Sequence, residues 1–208
     1  MLKAVKILSL AMLACSLPVF GQFVTANPDP AQVPSGTYQL DAGHGKITWL
    51  VMHHGLSTYV GQFSGVSATL KLDSANPAAS TLDVTVDTNS VGTFNDRLDD
   101  RLKSDQWFDT AEFPTAHYVS TSVTRTGPRT ATITGNLTLH GITKPVTIDV
   151  TFNGVAVMPD RTIAGFDGQA IVKRTEFGMT TEFPGVSDDV KLLIEGEFDQ
   201  QYTSSKSL

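Results

Sequence analysis

Residues 131–152 read ATITGNLTLHGITKPVTIDVTF. Before Gly141, Ile133, Leu137 and Leu139 alternate with Thr134, Asn136 and Thr138; after it, Val146, Ile148, Val150 and Phe152 alternate with Thr147, Asp149 and Thr151. Alternation with period two puts the apolar side chains on one face of an extended strand and the hydroxyls and carboxylates on the other. Gly141 supplies the turn between the two runs. The stretch therefore predicts strands with one dry face and one wet face.

The same pattern recurs outward. Leu82, Val84 and Val86 alternate with Asp83, Thr85 and Asp87, and 38–42, 45–53, 58–73, 115–125, 162–173 and 190–199 are further strand candidates. Turn chemistry separates them at Gly43, Gly45, Asn76-Pro77, Gly127-Pro128, Asn153-Gly154 and Pro159-Asp160. Long strands with one apolar face and short connections suit a closed antiparallel sheet, because closure leaves no exposed edge. A two-sheet sandwich shares this periodicity. Either way the fold class is all-β.

One segment departs from period two. From Phe94 to Asp105, Leu98 and Leu102 recur at i,i+4 among Asp96, Arg97, Asp99, Asp100, Arg101 and Lys103, which predicts a short amphipathic helix. Thr93 and Asp96 form a variant capping box, placing the helix start near Phe94. Trp107, Phe108 and Phe113 follow in a connection and need a burial site; the mouth of a barrel provides one.

The N-terminus carries Lys3 and Lys6 and then an apolar run from Ile7 to Phe20, the layout of a secretory signal peptide over residues 1–21. Cleavage after Gly21 and cleavage after Ala26 both fit the small-residue rule. The run is shorter than the about 20 residues a membrane span requires, and nothing later approaches that length, so no integral span is expected after signal removal. Cys15 is the single cysteine; Met12 and Leu13 are poor lipobox residues, which favours simple cleavage over acylation. A processed chain has no thiol and no disulfide.

Removing Lys3 and Lys6 takes the formal charge from −6 to −8, which argues against nucleic acid and anionic membrane surfaces as partners. Residues 22–36, with Pro28, Pro30 and Pro34, read as an extended leader, residues 37–200 as a single barrel domain, and residues 201–208 as a flexible tail.

Five motifs in order carry a resemblance: MHHGLSTYVGQFSG (52–65), RLDDRLKSDQWFD (97–109), EFPTAHYVST (112–121), NLTLHGITKPVTIDVTF (136–152) and KRTEFGM (173–179). Together they resemble the YceI-like family over residues 37 to 199. The resemblance implies an extended lipocalin-like antiparallel barrel of about eight strands with one short helix near the mouth. It further implies that the pore holds a polyisoprenoid, a prenyl quinone or a similar lipid, in a periplasmic or secreted setting, for transport, storage or stress response. No cofactor beyond that lipid and no catalytic residue are implied.

The expected lining combines Trp49, Val51, His53 and Phe63 from the second and third strands with Leu98, Leu102, Trp107 and Phe108 from the helix and its sequel. Phe113 and Phe177 complete it. His53 offers a donor or an acceptor to a polar head at the mouth. His44, His53, His54, His117 and His140 show no metal-ligand spacing, and adjacent strand residues such as His53 and His54 point to opposite faces, so no metal is expected. Ser57, Ser64 and Ser67 sit in no nucleophile elbow. Arg174 and Glu176 read as a surface ion pair. Two competing readings stand beside the carrier: an enzyme acting on a lipid with His53 or His54 as base, and an interaction module with a packed core. A homodimer is compatible with any of the three.

Overall fold

The computed structural model describes residues 25–202, so the predicted signal peptide, Cys15 and the end of the predicted tail lie outside the described residues. The strands are β1 Gly36–Leu40, β2 Lys46–His53, β3 Ser57–Phe63, β4 Val66–Leu72, β5 Thr81–Asp87, β6 Val91–Gly92, β7 Thr115–Arg125, β8 Thr130–Leu139, β9 Ile142–Val157, β10 Thr162–Lys173 and β11 Asp189–Gln200. One helix, α1, spans Asp96–Lys103. Among the described residues no helix is long and apolar enough to cross a membrane.

Eight strands form an antiparallel ring in the order β1-β4-β5-β7-β8-β9-β10-β11, and the pairing Tyr38↔Gln200 between β1 and β11 closes it. This closing pair decides between the two architectures that periodicity allows: the molecule is a barrel. The remaining strands β2, β3 and β6 extend its wall. β11 pairs with β1 near its C-terminus and with β2 over Lys191↔Leu50 to Glu195↔Lys46, so β1 and β2 are two lengths of one path along the same neighbour. The predicted 58–73 strand likewise breaks at Ser64-Gly65. A Cβ on Gly65 would stand 2.9 Å from the Asp87 Cβ, so the bend brings two backbones together where no side chain fits.

Local chemistry explains the ends of the elements. His140 and Gly141 have φ of 51° and 72°, the left-handed pair of a two-residue hairpin turn between Leu139 and Ile142. The helix begins two residues later than predicted: Asn95 is the cap, accepting from the Leu98 amide, while Thr93 donates to Asp99 and Phe94 stands fully exposed at φ 59°. Asn153-Gly154 is no turn, because β9 runs through it to Val157. The register shift opposite Gly165/Phe166 leaves Asn153 as the extra residue of a bulge.

The described parts of both flanks, residues 25–36 and 201–202, contact the barrel. Asn27 bridges to Val155, Val33 is 5% exposed within the core, and the Tyr38 hydroxyl donates to the Pro34 carbonyl at 2.7 Å. Beyond β11, the Gln201 amide donates to Thr37 O, and the hydroxyls of Tyr202 and Thr162 lie 2.8 Å apart. Composition signalled a linker before β1; over residues 27–33, apolar burial of Val33 and backbone pairing outweigh it.

Candidate functional site

Two cavities, each of about 440 Å³, occupy the barrel. Ile47, Val86, Leu137 and Leu192 stand in the walls of both, so they are successive chambers of one bore. The upper chamber lies at the end of the β2–β3 turn, α1 and the connection between β10 and β11. The lower one reaches the β4–β5 and β7–β8 connections.

The upper chamber takes every second residue of β2: Ile47, Trp49, Val51 and then His53 at the exposed rim. On β3 the inward positions are Tyr59, Gly61 and Phe63. Gly61 pairs with Trp49, and a Cβ there would lie 2.1 Å from Trp49 Cζ2; the missing side chain is the space into which the indole folds. The helix contributes Leu98 and Leu102 one turn apart, with Arg101 beside them. Trp107 and Phe108 complete this side, the latter edge-on to Phe63 at 5.3 Å.

Eight of the expected lining residues thus surround the chamber. Phe113 and Phe177 do not. Phe113 packs at 4.8 Å on His140, where a Cβ on Gly141 would meet its ring at 2.7 Å; the Phe177 carbonyl lies 3.1 Å from His140 Nδ1. Phe177 itself is 1% exposed, clustered with Val172 and Met179. The Phe113 ring braces the β8–β9 turn, and the Phe177 side chain, packed with Val172 and Met179, is not in the lining of the bore. His53 and His54 do not point apart either: with His54 at φ 51° in the turn, their rings meet edge-on at 4.4 Å.

Arg174 is the main feature the sequence did not disclose. It is 3% exposed, not a surface partner of Glu176. Its guanidinium donates to four backbone carbonyls, from Ser187, Met179, Thr181 and Val186, at 2.9, 2.6, 2.9 and 2.8 Å. A single side chain therefore fixes the connection that walls the upper chamber. Burial pushes its pKa down, and Asp188 and Glu182 oppose that shift. Its carbon Cζ lies 5.5 Å from the Trp107 ring centroid, with Arg101, paired to Glu182, at 6.0 Å. The indole N–H groups of Trp49 and Trp107 are buried with no hydrogen-bond partner. Unpaired buried donors are uncommon in native folds.

The lower chamber is walled by strands. Leu70, Leu82, Val84, Ile148, Phe152 and Phe198 turn inward from four different strands, and Tyr118 of a fifth lies among them. The Tyr118 hydroxyl donates to Ile133 O at 3.0 Å, and burial pushes its pKa up to about 12. Sequence alternation marks these residues as a dry face but does not separate a packed core from a void.

The profile of the YceI-like domain matches residues 38–198. Protein YceI of Salmonella arizonae is 36% identical over 167 residues, covering 79% of this chain and 87% of that protein. Among solved structures, BcnA of Burkholderia cenocepacia is 26% identical with a TM-score of 0.68, covering 76% of this chain and 98% of its own. A polyisoprenoid binding domain from Saccharophagus degradans shares the fold at 14% identity and a TM-score of 0.60, covering 81% of this chain and all of that one.

Proposed function

This chain belongs to the YceI-like family, and from that premise we propose that its barrel carries a long-chain amphiphile, a polyisoprenoid, prenyl quinone or similar lipid. The tail fills the bore, and the polar end lies at the upper mouth beside His53. The observation that carries this reading is the bore itself, two adjoining chambers walled by apolar side chains where a packed core would leave no such space. The polyisoprenoid-binding description of the Saccharophagus degradans domain supports the ligand class.

Removing roughly 500 Å² of prenyl surface from water is worth on the order of 12 kcal/mol gross, much of it offset by ordering on binding. The surroundings of His53 favour binding over catalysis. His53 stands at the exposed rim, and its contact is the ring of His54 instead of a carboxylate that would orient a base. The signal-like N-terminus supports a periplasmic setting, in which such a carrier would transport or store lipid.

The test is mass spectrometry of an organic extract from the processed protein purified without detergent. A prenyl lipid or quinone at about one per chain is the expected result. An empty extract, repeated after incubation with a lipid pool, overturns the carrier reading. Recovery of an altered lipid, with turnover lost in His53→Ala, would replace it with an enzyme.

A further inference from the structure

We propose that residues 27–33, the segment before β1, are a length gauge: the part of the bore wall against which the far end of a tail stops. The inference rests on the carrier reading and adds a specificity determinant to it. Either predicted cleavage site leaves these residues in the processed chain.

The segment has a built conformation. Asn27 and Val155 exchange backbone hydrogen bonds of 2.8 and 2.9 Å. Asn27 Oδ1 accepts from the Asp29 amide, and Asp29 Oδ1 accepts from the Ala31 amide, capping a 3-10 turn over Pro30–Gln32. Val33 then anchors it in the core beside Tyr38, Phe152 and Phe198. Gly154 is the seat: a Cβ there would stand 2.9 Å from Ala26 Cβ and 3.1 Å from Asn27 O, so the segment crosses β9 where no side chain intervenes.

This placement has a consequence for the ligand. Asp29, Pro30, Ala31 and Val33 are in the wall of the lower chamber, away from the His53 mouth. A tail that enters past His53 meets them last. A short tail leaves part of the bore unfilled, whereas a long one must buckle, because a packed wall does not deform continuously. Affinity should therefore peak at one chain length.

The experiment titrates delipidated, processed protein with prenyl alcohols of increasing isoprene number, reading the fluorescence of Trp49 and Trp107. In the native protein affinity should climb with each unit to a maximum and then fall about tenfold over the next one or two. Gly154→Val puts a side chain in the segment's path, and deletion of residues 27–32 removes the segment while keeping Val33. Each should abolish the fall, with shorter tails bound within about threefold of native. The deletion does not depend on tolerance at Gly154, and circular dichroism identifies the folded variants. A fall at the same length in a folded variant overturns the gauge, as does the absence of any fall in the native protein. Native protein that binds no prenyl alcohol overturns the carrier reading and the gauge together; binding with an unmoved maximum overturns the gauge alone.

Discussion

The two chambers are equal in volume and opposite in construction. Strands wall most of the lower one, whose charged wall residues are Asp29, Lys46, Arg125, Arg129, Asp167 and Glu195. The upper one depends on a helix and two connections and encloses a buried guanidinium and two unpartnered indole donors. Alternating strands suffice to make a greasy wall, since each contributes a dry face at no extra ordering cost. A site that treats the two ends of an amphiphile differently requires polar groups inside, and only connections tied down by hydrogen bonds hold them there. Stability in the lower half should thus respond to packing, and in the upper half to Arg174.

The largest expected effect breaks the upper half. Arg174→Met leaves the carbonyls of Ser187, Met179, Thr181 and Val186 without their donor and should cost about 3–5 kcal/mol in denaturant unfolding. Hydrogen exchange should rise over 174–188 ahead of β7–β9. A cost below about 1 kcal/mol would mean that water replaces the guanidinium, and the contrast between the halves would fail.

Alkaline pH should loosen the lower half. Burial pushes the hydroxyls of Tyr38 and Tyr118 up to about 12 from 10.0. Their neutral forms stabilise the fold fully below pH 10, and that contribution, on the order of 2 kcal/mol each, is lost as pH rises through 12. Unfolding followed by tyrosinate absorbance should move to higher pH in Tyr118→Phe; an unchanged midpoint would remove this tyrosine from the account.

A matched pair of glycines sharpens the comparison. A Cβ on Gly135 would stand 2.5 Å from both Val119 O and the Tyr118 ring, while one on Gly61 meets only the Trp49 indole among its nearest atoms. Gly135→Ala, pressed on backbone, should cost about 1–3 kcal/mol and Gly61→Ala less, because a side chain can swing aside. Thermal midpoints in the reverse order would contradict this. The smallest effect is expected for Trp107→Phe: losing ring area is offset by removing an unpaired donor, for a net change within about 1 kcal/mol.

Much of the barrel was legible because it depends on a local rule. Period-two alternation from Thr81 to Asp87 and from Thr130 to Phe152 places strands without knowledge of their partners, and Leu98 with Leu102 marks the helix in the same way. The inward set Trp49, Val51, His53 and Phe63 follows from that alternation once β2 and β3 pair. Arg174 was misread because alternation was carried past Lys173, where the strand ends in a 3-10 turn and rotates the side chain inward. Phe113 and Phe177 were misread because an aromatic residue in a connection signals burial without signalling against what.

The sequence by itself determined an all-β chain with one short helix, the dry face of each strand and, through its five motifs, the family. Tertiary structure alone decided that the sheet closes, since β1 and β11 meet across 162 positions at Tyr38↔Gln200. It also decided that the inward faces leave a bore instead of filling it, and that the proline-rich segment before β1 is part of the wall. The physical reason is the same in each case. Alternation is a property of neighbouring residues, whereas closure, empty volume and the seating of Asn27 beside Gly154 depend on backbones brought together from distant parts of the chain.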